Sequence, residues 1–114
     1  MSAQRILCVH EEPGELEELR EVLELHGYQV LPAADAGRAL DMLRSQAIDG
    51  VVLDYHVRTP SGITLRSRIH HQRPDIPILL FGDLQDVMHL PLQVFRAYLS
   101  TPQPPDLVFA HLEN

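Results

Sequence analysis

The chain has 114 residues, which suits one compact domain, and 45% of them are hydrophobic, enough for a real core. The formal net charge is −7, and arginine supplies all 9 cationic side chains because there is no lysine, so a nucleic-acid-binding surface is not expected on this domain. The lone cysteine, Cys8, excludes an internal disulfide; no apolar run reaches membrane-spanning length and no stretch reads as a signal peptide, so a cytoplasmic protein is expected.

The first element in chain order is the run Ile6-Leu7-Cys8-Val9, apolar on consecutive residues as in a strand buried on both faces of a parallel sheet. A helix follows. Pro13 fits its first turn, Glu15 and Glu17 complement the positive end of its dipole, and Gly27 stops it. Leu16, Leu19, Leu23 and His26 form one stripe, widened by Val22, while the crowd of glutamates from Glu11 to Glu24 reads as a solvated face. A weaker strand, Gln29 to Pro32, leads to a second helix capped by Asp35 and running through Ser45, with Ala39, Leu40, Met42 and Leu43 as its apolar content. The second buried strand is Val51-Val52-Leu53. Ser61 is the expected cap of a third helix through Gln72, with Ile63, Leu65 and Ile69 facing inward. Ile78-Leu79-Leu80-Phe81 is the next strand. A short helix is expected over Asp83–Leu90, limited by Pro91, then a fifth strand over Phe95–Leu99 and a last helix over Asp106–Leu112.

Alternation of strand and helix five times predicts a flavodoxin-like, doubly wound five-stranded parallel sheet, order 2-1-3-4-5, with helices on both faces, in a single domain over 1–114. Ligands of such sheets bind beyond the carboxyl ends of the strands. His10-Glu11-Glu12, Asp54, Gly82-Asp83 and Ser100-Thr101 should therefore converge. Acids at two of these ends can hold a divalent cation such as Mg²⁺, which takes oxygen ligands, and an aspartate beside it can attack a phosphoryl group.

Four stretches carry a resemblance. Arg5-Ile6-Leu7-Cys8-Val9-His10-Glu11-Glu12-Pro13 resembles the opening of a response-regulator receiver domain of two-component signalling. Val51-Val52-Leu53-Asp54, with Pro60 and Gly62, resembles the phosphoacceptor strand and its loop. Ile76 to Phe81 resembles the fourth strand, and Ala97 to Pro102 the fifth with its terminal proline. The likeness runs from about Arg5 to Leu112. It implies that Asp54 is the phosphoacceptor and that Mg²⁺ would be held by Glu11, Asp54 and the backbone carbonyl of His56, with His10 at most an indirect helper. It also implies a histidine kinase or phosphotransfer protein as partner.

The departures from the family pattern point to an atypical, degenerate receiver. The first of the paired acids is His10, and the second, Glu11, is one methylene longer than the usual aspartate. The residue two beyond the acceptor is His56, where only the backbone is expected to matter. Arg58 takes the place of a proline. Gly82 replaces the hydroxyl residue that normally bonds the phosphoryl group, and Thr101 replaces the lysine that pairs with it. Only an arginine, Arg58 or Arg96, could stand in for that lysine, with a different reach and geometry. Tyr98 occupies the switch-aromatic position, without its hydroxyl partner.

Three functions follow. The domain is expected to act by protein–protein interaction or homodimerisation, with weak or no phosphorylation-dependent switching. A working acceptor at Asp54 controlling an attached or separate output, such as transcription, is the alternative. A metal or small-ligand sensor using His10, Glu11, Asp54 and His56 is the third. His70-His71 reads as a polar helix end, because adjacent helical residues do not face one site. No nucleophile–base pair or glycine-rich phosphate loop is present, so an enzyme is not expected, nor is membrane binding.

Overall fold

The computed structural model describes residues 3–59, 62–82, 99 and 107–109. Its elements are β1 (Arg5–Val9), α1 (Pro13–Leu25), β2 (Gln29–Ala33), α2 (Ala36–Ser45), β3 (Gly50–Asp54), α3 (Leu65–Gln72), β4 (Ile78–Phe81) and β5 (Leu107–Phe109). The strands form one parallel sheet of order β2-β1-β3-β4-β5.

Strand residues alternate between two cores, as the pleat requires. Ile6, Cys8, Val30, Val52, Leu79 and Phe81 pack with Leu16, Leu19 and Leu23 of α1. Leu7, Val9, Val51, Leu53 and Ile78 pack with Ala36, Ala39 and Leu43 of α2 and with Leu65 and Ile69 of α3. Helices therefore cover both faces. The run Gly50–Asp54 is buried throughout, which explains why β3 reads as continuous rather than alternating.

The caps follow local chemistry. Asp35 accepts from the Arg38 N–H at 2.8 Å to start α2. Glu12 does the same for α1, taking the N–H groups of Glu15 at 2.9 Å and Gly14 at 3.2 Å, so its carboxylate is committed to the helix end. Three local expectations are corrected. Helix α3 starts at Leu65, capped by Thr64 rather than Ser61, because Thr64 Oγ1 accepts from the Ser67 N–H. Ile63 then precedes the helix and is exposed. His26 falls beyond the last turn of α1 and is exposed, so it leaves the stripe.

The fifth strand is also corrected. Leu107–Phe109 pairs with β4, through Leu79–Leu107, Leu80–Val108 and Phe81–Phe109, whereas Leu99 is helical and packs in the α1-side core. Leu99 thus departs from the strand expected over Phe95–Leu99, and Leu107–Phe109 from the helix expected over Asp106–Leu112; the other residues of both spans lie outside the described residues. Two apolar runs compete for this edge of the sheet. A parallel crossover needs a dozen or more residues, usually including a helix, and the later run leaves ample room for one. The expected helix over Asp83–Leu90 lies outside the described residues, as do Ser61, Arg96, Tyr98 and Thr101.

Candidate functional site

The parallel register brings the ends of β1, β3 and β4 to one edge. Asp54 is paired with Phe81, and the Tyr55 N–H donates to the Phe81 carbonyl at 2.9 Å, so Gly82 follows directly beyond the row that holds Asp54. On the other side, Val9 is paired with Leu53, which sets His10 level with Asp54. Asp54 is 7% exposed and His10 is 8% exposed.

Hydrogen bonding orients both histidines around the carboxylate. The Glu12 N–H donates to His10 Nδ1 at 3.1 Å, so Nδ1 is an acceptor and the ring proton sits on Nε2. That Nε2 lies 3.6 Å from Asp54 Oδ2 and 3.4 Å from Glu15 Oε1. The His10 ring also packs against Phe81, with centroids 5.8 Å apart. On the opposite side, Asp54 Oδ1 receives the His56 N–H at 3.1 Å and His56 Nδ1 at 3.0 Å. A carboxylate only accepts, so Nδ1 is the donor. Asp54 is thus flanked by two imidazoles, one buried and one exposed.

Two expectations change at this point. His56 contributes its ring as well as its backbone, so the side chain at that position matters. Glu15, expected only to complement the helix dipole, belongs to the site because α1 directs its carboxylate at His10 Nε2. The pattern of an acid one turn into the helix that follows an apolar strand was the available signal, but helix propensity accounted for it fully. Arg58, a candidate stand-in for the missing lysine, instead sets its guanidinium 6.0 Å from the centroid of the Tyr55 ring. Among the described residues, the basic side chains against the Asp54 oxygens are His10 and His56.

Glu11 is exposed, and no group of three His, Cys, Asp or Glu side chains able to hold a metal occurs among the described residues. The donor chemistry still suits a hard cation in outline, since Glu11, Asp54 and the His56 carbonyl all offer oxygen. His10 subtracts from it. In this arrangement its Nε2 carries a proton and faces carboxylates, so it is a donor where a second acid would add charge.

Residues 6–100 match the response regulator receiver domain family. The chain belongs to that family. A receiver domain of a two-component response regulator therefore accounts for the sheet order and for an aspartate at the end of β3. The response regulator MprA of Mycolicibacterium vanbaalenii is 36% identical over 76 residues, covering 67% of this chain and 33% of that protein. The transcriptional regulatory protein GlrR of Escherichia coli K12 is 24% identical over 112 residues, covering 96% of this chain and 25% of that protein. The chain spans about a third of the length of the MprA proteins it matches. Among solved structures, a CheY-like receiver domain protein from Methanospirillum hungatei superposes with a TM-score of 0.68 at 22% identity, covering 99% of this chain and 85% of that one. The response regulator TrrA from Thermotoga maritima, solved in complex with Mg²⁺-BeF, gives 0.61 at 32% identity, covering 68% of each chain. No described helix is long and apolar enough to cross a membrane.

Proposed function

We propose that this receiver domain acts chiefly by protein–protein contact, with weak or no dependence on phosphorylation at Asp54. One observation carries the reading: both Asp54 oxygens face imidazole donors, His56 on Oδ1 and His10 on Oδ2. Charge developing on an attacking aspartate and an incoming phosphoryl group is best met by preorganised cations and donors. Here His56 is hydrogen-bonded to the nucleophile itself, which blunts it, and His10 Nε2 stands 3.6 Å from the other oxygen. Gly82 offers no hydroxyl to a phosphoryl group, and the chain holds no lysine to pair with one.

Mg²⁺ fits the oxygen set and would be held by Glu11, Asp54 and the His56 carbonyl. When bound, it screens the anionic oxygens during phosphoryl transfer. Of the chain's own residues, Asp54 would supply the nucleophile, and His56 holds its Oδ1 in place. Incubation with a small phosphodonor and Mg²⁺, followed by mass measurement, tests the reading. Slow, incomplete modification is expected, and rapid stoichiometric modification would overturn it.

A second reading keeps Asp54 as a working acceptor. It is favoured by the placement of Asp54 at the carboxyl end of the central strand, beside the ends of β1 and β4. A histidine kinase or phosphotransfer protein is then the partner, and an attached output such as transcription is the consequence. The same assay decides between the two.

A further inference from the structure

Asp54 Oδ1 holds His56 at two points. It accepts from the His56 N–H at 3.1 Å and from His56 Nδ1 at 3.0 Å. The carboxylate is buried, with 10% of the Asp54 side chain exposed, whereas 65% of the His56 side chain is exposed. The His56 ring also meets the Tyr55 ring edge to face, with centroids 4.9 Å apart and planes at 70°. One ring nitrogen is thus fixed against an anion, on a side chain that is otherwise open to solvent. A neutral imidazole has one N–H and one lone pair, so a proton held on Nδ1 leaves the lone pair on Nε2.

The other histidines are arranged differently. His10 is 8% exposed, its Nδ1 accepts from the Glu12 N–H, and its Nε2 faces Asp54 and Glu15, so its lone pair is used inside the protein. His26 holds its Nδ1 on the Val22 carbonyl at 2.8 Å, an acceptor without net charge. His70 and His71, exposed at the end of α3, have no carboxylate partner among the described residues. Among the described residues, His56 joins an exposed ring to a carboxylate that fixes its tautomer and can offset positive charge on it.

Charge selects the electrophile. Segment 55–74 has four arginines and three histidines and no acid, in a chain of net charge −7. Arg58 sets its guanidinium 6.0 Å from the centroid of the Tyr55 ring, the same ring that packs against His56. Such surroundings favour an anionic electrophile over a cationic one.

We propose that His56 Nε2 is a phosphoryl acceptor, with Asp54 as its positioning residue. This goes beyond the blunted Asp54 and rests on the same hydrogen bond. With phosphoramidate as donor, the Nε2 lone pair forms a bond to phosphorus, the P–N bond of the donor breaks, and ammonia leaves with that electron pair. Nothing is oxidised or reduced. The Nδ1 proton stays on the ring, and Asp54 Oδ1 offsets the positive charge the ring acquires. Accumulation is gradual, because the chain has no lysine to meet the phosphoryl oxygens.

The test incubates the full chain with phosphoramidate at mildly alkaline pH, without metal, and maps the modified peptides by mass spectrometry over time. The bond formed identifies the acceptor. A phosphoryl group on an imidazole nitrogen survives alkali and is lost in acid, whereas an acyl phosphate is lost in alkali and to hydroxylamine. His56 is expected to be modified about tenfold or more faster than His70 and His71. Imidazole nitrogen NMR spectra of the unmodified chain are expected to show the His56 proton on Nδ1. Asp54→Asn removes the charge behind the ring, and is expected to mix the tautomers and slow His56 by about tenfold. Circular dichroism checks that this variant is folded, and the two measurements on the native chain carry the test if it is not.

Modification of His56 no faster than of His70 and His71, a proton found on Nε2 in the native chain, or a folded Asp54→Asn chain modified at the native rate would each overturn the proposal and leave the slow Asp54 standing. A hydroxylamine-labile product formed rapidly on Asp54, in place of one on His56, would overturn both.

Discussion

His10 Nε2 stands 3.6 Å from Asp54 Oδ2, at the level where a receiver ordinarily sets an acid. The geometry puts a ring nitrogen where a second carboxylate would add negative charge. A carboxylate there would raise the local negative charge and draw a cation. An imidazole whose Nε2 faces Asp54 and Glu15 adds no such negative charge.

His10→Asp should therefore raise Mg²⁺ affinity by on the order of tenfold or more, since a second anion within a few ångströms of the ion adds several kcal/mol of attraction before desolvation. Glu11→Ala should lower what affinity the native chain has. Tyr55, next to Asp54, provides a fluorescence signal in a chain without tryptophan. Equal Mg²⁺ titration curves for the native chain and His10→Asp would show that His10 does not set the affinity.

Much of the scaffold was legible because burial imposes simple patterns. The runs Ile6–Val9, Val51–Leu53 and Ile78–Phe81 are apolar without interruption because helices cover both faces of their strands. Leu16, Leu19 and Leu23 mark α1, and Asp35 marks the start of α2. The rest depended on competition between similar signals. Ser61 and Thr64 are both hydroxyl residues in one loop, and only the geometry at the Ser67 N–H favours Thr64. Two apolar runs near the C-terminus could each have formed the fifth strand. At the site, Asp54 was readable from its place at a strand end, but the ring contacts of His10 and His56 were not. They depend on which ring nitrogen accepts and which donates, a property of backbone N–H placement that residue type does not encode.

Asp35→Ala should destabilise the fold by about 1 kcal/mol through loss of the α2 cap, because the Arg38 N–H then has no side-chain acceptor. Asp35→Asn should recover most of that loss. Urea unfolding provides the check. A midpoint for Asp35→Ala equal to the native one would mean that water replaces the cap without cost.

Cys8 supplies a pH prediction. Burial pushes its thiol well above the ordinary value of 9.0, and the nearby Glu24 carboxylate adds to the shift. In the unfolded chain the thiol ionises near that ordinary value, while in the folded chain it stays protonated. The folded state then binds more protons, so stability is unaffected below about pH 9 and declines as pH rises further. Cys8→Ala should cost roughly 1 kcal/mol for the lost buried atom yet flatten the alkaline decline. Native Cys8 should also resist alkylation until the chain is unfolded. Ready labelling of the folded protein would contradict the burial.

The last prediction concerns the acceptor itself. Removing one preorganised electrostatic donor from a charge-developing site typically slows the reaction by a factor on the order of a hundred to a thousand. This chain lacks the lysine, lacks the hydroxyl at Gly82, and has His10 in place of an acid. Aspartyl phosphate formation from a small phosphodonor and Mg²⁺ should accordingly be slow. His10→Asp should accelerate it by strengthening metal binding, and His56→Ala should act in the same direction by releasing Asp54 Oδ1 from the ring N–H. The two effects share one carboxylate, so they should not be additive. A phosphoryl group on Asp54 finds no hydroxyl at Gly82 to draw toward it, and a modification shifts an equilibrium only through contacts that differ between the two states. Amide chemical-shift changes should stay within residues 10–12 and 54–59. If mass spectrometry shows Asp54 fully modified within the dead time, and shifts spread through β4 to Tyr98, the imidazoles do not restrain the acceptor and the domain switches as a conventional receiver.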